Sequence, residues 1–175
     1  MTPRILEGGI YDIDPDISTH AIPTDTTPQV RKHMVLVLGR KPNLKNCWRV
    51  VTITSKPYDL HAPNDRLENY IPIAPVPKKP YDMQVQLAHG ATLLLDSYLR
   101  IDREWYVHAD GLQGLGVGDT GLALRVRKKG SGGLAQLRDY LRRKEREKIA
   151  AVTEKEEKKE DKDEVGSLGL EGLVI

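Results

Sequence analysis

Residues 31–39, Arg31-Lys32-His33-Met34-Val35-Leu36-Val37-Leu38-Gly39, and residues 48–55, Trp48-Arg49-Val50-Val51-Thr52-Ile53-Thr54-Ser55, decide the fold. Two unbroken aliphatic runs, rich in β-branched residues, stand on either side of a short polar connection. Runs of this length and type suit strands that are buried on at least one face. The connection Arg40-Lys41-Pro42-Asn43-Leu44-Lys45-Asn46 carries Pro and Asn, the residues a hairpin turn uses. A basic cluster precedes the first strand and hydroxyls close the second. Cations beside hydroxyls are what a phosphodiester-binding surface requires.

Working outward, the remaining strands are shorter. Gly8-Gly9-Ile10-Tyr11-Asp12-Ile13 reads as an opening strand, ended by Asp14-Pro15-Asp16. Residues 18–29 form a polar loop broken by Pro23 and Pro28. The span 56–80 holds six prolines, favours extended loop and leaves room for one short strand at Tyr70–Ile73. Residues 83–87 alternate as a strand with one wet face should. A longer strand is expected over 91–101, then Trp105-Tyr106-Val107 and residues 121–126. The glycines of 111–119 follow no phosphate-loop pattern and read as a mobile turn between strands.

Leu134, Leu137, Tyr140 and Leu141 fall at three- and four-residue spacing and predict a helix that begins near Ser131, whose hydroxyl can cap it. Beyond Arg142 the apolar stripe fails. Residues 121–150 carry ten Lys/Arg against three Asp/Glu, and 151–164 carry four Lys against seven acids. Arg138, Arg142, Lys144, Arg146 and Lys148 do not share one stripe, so a solvated helix face explains them better than a nucleic-acid arm. The resulting division is a β domain over 1–130, an amphipathic to charged helix over 131–159 and a disordered tail over 160–175.

Composition narrows the function classes. The chain has 175 residues, a net charge of +2 and a single cysteine, Cys47. One cysteine forms no internal disulfide, which fits a reducing, cytoplasmic setting. No run of 18 apolar residues predicts a membrane span. His20, His61, His89 and His108 show no metal-ligand spacing, and no cofactor motif is present, so none is expected. Cys47, beside Trp48, reads as a buried thiol rather than a nucleophile. Asp12, Asp14, Asp96 and Asp102 read as turn or ion-pair residues. Tyr11, Tyr58, Tyr70, Tyr81 and Trp48 are candidate stacking platforms for bases.

The order of four blocks resembles the MazF/PemK-type endoribonuclease toxin family. They are Gly8-Gly9-Ile10-Tyr11, Lys32-His33-Met34-Val35-Leu36-Val37-Leu38, Val51-Thr52-Ile53-Thr54-Ser55, and Leu94-Leu95-Asp96-Ser97-Tyr98-Leu99-Arg100-Ile101-Asp102-Arg103. The resemblance covers residues 8–107 and implies a small SH3-like antiparallel barrel, followed here by the charged helix. It further implies metal-independent cleavage of single-stranded RNA, with the 2′-hydroxyl as nucleophile. It also implies a homodimer and an antitoxin-like protein partner. Carried over, the catalytic positions fall on Lys32, in the slot of an arginine, and on Thr54. Arg31, His33, Ser55 and Arg100 become RNA-binding candidates. His33 stands where the family has proline. Ser97 and Leu99 stand where it has Gln and Arg, which puts Arg100 on the opposite strand face from the matched position. The chain is then either an endoribonuclease or a decayed relative that still binds RNA. The alternative is a non-catalytic SH3-like module that docks a protein or peptide, with the helix as tether.

Overall fold

The aliphatic runs pair as read. In the computed structural model, which describes residues 4–15, 26–56, 66–117 and 122–167, β2 (Val35–Arg40) and β3 (Cys47–Thr54) form an antiparallel hairpin. Its register sets Val35 against Thr52, Leu36 against Val51 and Val37 against Val50, then shifts before Gly39 meets Arg49. The asparagines make the turn. Asn43 and Asn46 take φ of 63° and 56°, the left-handed region that Asn enters more readily than most residues. The Lys41 amide donates to the Cys47 carbonyl at 2.8 Å and closes the loop.

This hairpin is the centre of a six-stranded antiparallel sheet. With β1 (Ile10–Ile13), β4 (Tyr70–Ile73), β5 (Ser97–His108) and β6 (Leu112–Gly114), the order is β4-β5-β3-β2-β1-β6. Two expectations are corrected here. The strand predicted over 91–101 starts only at Ser97, and it runs on through Trp105–Val107 as one 12-residue strand. Among the described residues, 91–96 have no strand to pair with, because β3 ends at Thr54 opposite Tyr98 and β4 ends at Ile73 opposite Ser97. Leu94 is accordingly fully exposed. The glycine-rich segment is also more than a turn. Leu112–Gly114 pairs with β1, and β7 (Gly116–Val117) pairs with β8 (Leu122–Ala123).

Both faces of the sheet are covered. Ile10, Leu36 and Val51 share one register row, and Ile71, Leu99 and Ile53 share another; all six are buried. On the opposite face Tyr11, Ile13, Val35, Val37, Trp48, Val50, Val107 and Leu112 form a cluster with Ile5, and Val30 and Trp105 pack at its margin. Burial on two faces explains why β2 is an unbroken apolar run rather than an alternating one. Each fully buried aliphatic side chain contributes about 1.5–3 kcal/mol.

Further backbone bonds run between the sheet and the segments outside it. The Ile10 amide donates to Leu124 O and the Val126 amide to Gly8 O, each at 2.8 Å. Arg127 N donates to Gln86 O at 3.0 Å and Ala88 N to Arg125 O at 2.8 Å. Val85 N then reaches Pro72 O at 2.8 Å, and Ala74 N reaches Val85 O at 2.9 Å. Residues 83–87, expected as a strand, alternate buried and half-buried but form only isolated bridges, Val85 with Ile73 and Leu87 with Val126.

The chain divides into two compact units, Met1–Arg138 and Asp139–Ile175. α1 (Leu134–Ser167) begins in the first. Its first amides are met by backbone carbonyls rather than by Ser131: Leu134 N donates to Arg127 O at 2.7 Å and Ala135 N to Lys128 O at 3.4 Å. Gly132, with φ of +72°, is required there. A Cβ would sit 2.7 Å from Gln84 O and 3.0 Å from Gln86 N. Leu134 and Leu137 are buried, and Arg138 donates through Nε to Leu38 O at 2.9 Å and through Nη2 to Glu7 Oε2 at 2.8 Å. In the second unit Arg143 and Lys144 flank the Tyr140 ring at 5.2 and 5.7 Å, and both approach Glu147, at 3.8 and 3.6 Å. The helix passes residue 159 and covers 160–167, which the sequence reading assigned to a disordered tail. Lys and Glu are good helix formers without any apolar stripe. Residues 168–175 lie outside the described residues.

Candidate nucleic-acid interface

The pairing of β3 with β5 builds a groove. From Thr54↔Tyr98 through Thr52↔Arg100 the register is regular, but the next pair is Val50↔Trp105. Between these pairs Val51 alone faces four residues of β5, 101–104, and the surplus bulges out between Arg100 and Trp105. Bulges of this kind re-aim side chains beside functional sites. Across the sheet, Tyr70, Arg100 and Thr52 form one row and Pro72, Tyr98 and Thr54 the next on the same face. A groove of about 460 Å³ opens on this face. Thr52, Thr54 and Lys56 line it from β3 and its exit, and Tyr70 from β4. Arg100, Asp102, Arg103 and Trp105 line it from β5, and Gln29, Val30 and His33 from the connection before β2.

The groove carries more positive than negative charge. Lys56, Arg100 and Arg103, with His33, stand against one carboxylate, Asp102. Asp102 accepts both prongs of the Arg100 guanidinium, Nε to Oδ1 and Nη2 to Oδ2, each at 3.0 Å. The Arg103 guanidinium lies 3.7 Å from the centroid of the Trp105 ring, a cation–π stack. Next to it, Glu104 is held by Arg49 through two bonds of 2.9 Å. Thr54 Oγ1 accepts from the Lys56 amide at 3.2 Å and donates to the Lys56 carbonyl at 3.4 Å.

Three of the six candidate residues from the sequence meet here: His33, Thr54 and Arg100. The other three are not among the residues lining the groove. Arg31 and Lys32 sit in a 3-10 turn, Val30–Lys32, instead of entering the strand directly. Arg31 donates to Thr26 through Nε to Oγ1 at 3.3 Å and through Nη2 to the carbonyl at 3.4 Å. Lys32 is exposed at the end of that turn, and Ser55 is exposed just past β3. Leu99, the position matched to the family's arginine, is buried, and Arg100 beside it is exposed on the groove side.

The sequence reading missed Lys56, Arg103 and Trp105. A local signal exists for the last two, because Arg-x-Trp at alternate strand positions permits a stack, but only the bulge turns both toward the groove. Of the candidate platforms, Tyr11, Tyr70 and Trp48 are buried, Tyr81 is half-buried and Tyr58 lies outside the described residues. A second hollow of about 420 Å³ lies at the Cys47 end of β3, lined by Arg4, Arg40, Lys45 and Trp48 among others, with the Arg40 guanidinium 5.2 Å from the Trp48 ring centroid. Burial pushes the Cys47 thiol above its ordinary 9.0, so it stays protonated and unreactive at neutral pH.

Among the described residues no three His, Cys, Asp or Glu side chains gather to hold a metal, and no helix is long and apolar enough to cross a membrane. Compared with protein-family profiles, curated proteins and solved structures, the chain matches none.

Proposed function

We propose that this chain is an RNA-binding protein of the MazF/PemK-like kind, built on an SH3-like barrel, whose groove takes single-stranded RNA. The observation that carries the reading is the convergence of Lys56, Arg100, Arg103 and His33 around Trp105 with a single carboxylate among them. Cations spaced along a groove track the phosphates of a single strand, while the Trp105 ring, covered by Arg103, holds that guanidinium in place. In support of the barrel, the backbone bonds from Gly8 and Ile10 through 124–127 and 85–88 to Pro72 and Ala74 link the β1 side of the sheet to β4.

Binding is better supported than cleavage. Lys32, the position matched to the catalytic arginine, is not among the residues around the groove, and the Thr54 hydroxyl is engaged by the Lys56 backbone. The reading is therefore a decayed relative that retains RNA binding. Titrating the full chain into labelled single-stranded RNA in EDTA tests both halves. Salt-dependent binding without cleavage is expected. Cleavage in EDTA would restore the endoribonuclease reading. Absence of binding at low salt would remove the RNA reading and leave the protein-docking module.

A further inference from the structure

The groove does not end at its lining residues. Tyr98 pairs in register with Thr54 on one side and Pro72 on the other, so it stands on the groove face. It lies two residues from Arg100, about 7 Å along the strand. Against it packs Tyr81, with ring centroids 5.7 Å apart and planes tilted by 48°. Tyr81 is fixed from behind by its amide, which donates to Lys78 O at 2.7 Å, and the same turn exposes Lys78 and Lys79. Both tyrosines are only half-buried, although positions on either side of Tyr98, Ser97 and Leu99, are buried in the sheet.

Along β5 the groove face thus runs tyrosine pair, Arg100, Arg103, then the Trp105 ring beneath Arg103. Aromatic surface stands at the tyrosine end, and guanidinium groups follow it. A single nucleic-acid strand alternates in the same way, with charged phosphates between flat bases. A duplex hides its base faces in its own stack and offers phosphates, 2′-hydroxyls and base edges, but no open ring face.

We propose that Tyr81 and Tyr98 form a base-stacking subsite at the β4 end of the groove, which makes the groove selective for RNA whose bases are unpaired. The inference rests on the RNA-binding reading and goes beyond it, because a purely cationic groove would bind phosphates whether or not bases were attached. Stacking of one base on an aromatic side chain changes affinity by roughly 5- to 150-fold.

The test uses the full chain and three labelled ligands of equal phosphate number: a single-stranded RNA, an abasic ribose-phosphate oligomer and a blunt RNA duplex. The parent should bind the single strand at least about tenfold more tightly than the abasic oligomer or the duplex. Tyr81→Ala should remove much of that preference while leaving abasic binding and its salt dependence unchanged, and Tyr81→Phe should keep it. Equal affinity of the parent for base-bearing and abasic strands would overturn the subsite and leave the groove reading intact. That comparison needs no variant, so it holds even if Tyr81→Ala does not fold. Failure of the parent to bind any of the three would instead overturn the groove reading itself.

Discussion

Replacing Arg103 by alanine removes one cation from the groove without touching the core. Its guanidinium lies over Trp105 at 3.7 Å, at the exposed bulge of β5. An exposed cation–π stack stabilises by about 0.5–1 kcal/mol. For a chain of this size each kcal/mol moves Tm by about 2–4 °C, so the variant should melt only a few degrees below the parent. The effect on RNA is larger. A hydrogen bond to a charged group is worth about 1.5–3 kcal/mol, which corresponds to a loss of roughly 10- to 150-fold in affinity.

The salt dependence gives a second, sharper number. Each phosphate neutralised on a single strand contributes about −0.7 to the slope of log K against log salt. With Arg100 neutralised by Asp102, Lys56 and Arg103 predict a slope of about −1.4 for the parent and about −0.7 for Arg103→Ala. Fluorescence anisotropy at 50, 100 and 200 mM salt would read both values, roughly the range over which counterion release is usually measured. An unchanged slope with a folded variant would refute the assignment of Arg103 to a phosphate. A melting point lowered by much more than about 4 °C would show instead that the stack is part of the fold.

Other consequences are independent of RNA. Gly132→Ala forces a Cβ to 2.7 Å from Gln84 O at φ of +72° and should cost roughly 1–3 kcal/mol in urea unfolding; a neutral result would contradict the close approach. The Arg49–Glu104 pair, 41% and 37% exposed, should show a double-mutant coupling of about 0.2–1 kcal/mol that shrinks with salt, and a larger, salt-insensitive value would mean the pair is shielded. The raised Cys47 pKa predicts slow labelling by a disulfide reagent until the chain is unfolded. Its contribution to stability is present below the unfolded thiol pKa and is lost as pH rises through the higher folded value, which urea titrations across that range would record. Light scattering tests the homodimer that the resemblance implies, with twice 19.7 kDa expected and a persistent 19.7 kDa at high concentration counting against it.

The parts of the fold legible in the sequence are those whose structure is decided locally. Val35–Leu38 and Val50–Ile53 are buried on both faces, so their composition alone announces strands. Tyr70–Ile73 is bracketed by breakers and came out at its predicted limits. β5 was misjudged at both ends because its strand character is not local. Leu93-Leu94-Leu95 looks like a strand but meets no strand to pair with among the described residues, and the charged Asp102-Arg103-Glu104 looks like a loop but is carried by ladders on either side. The candidate site was half legible for the same reason. Thr54 and Arg100 are in fixed register positions and could be placed from the pattern. Lys56 follows the strand by a turn, and Arg103 and Trp105 reach the groove only through a bulge that no residue type encodes.

That bulge separates the two halves of β5. Ser97–Arg100 is locked to both β3 and β4, and Trp105–His108 is locked to β3, each by its own ladder. In an uninterrupted strand, loss or gain of one residue would turn every later side chain to the wrong face. Here the change would be absorbed between Arg100 and Trp105, with both ladders still in phase. Asp102 and Arg103 thus occupy the one stretch of the strand whose length is free to vary. The chemistry of the groove can drift there, residue by residue and even by insertion, while the hydrophobic layers beneath it stay as they are.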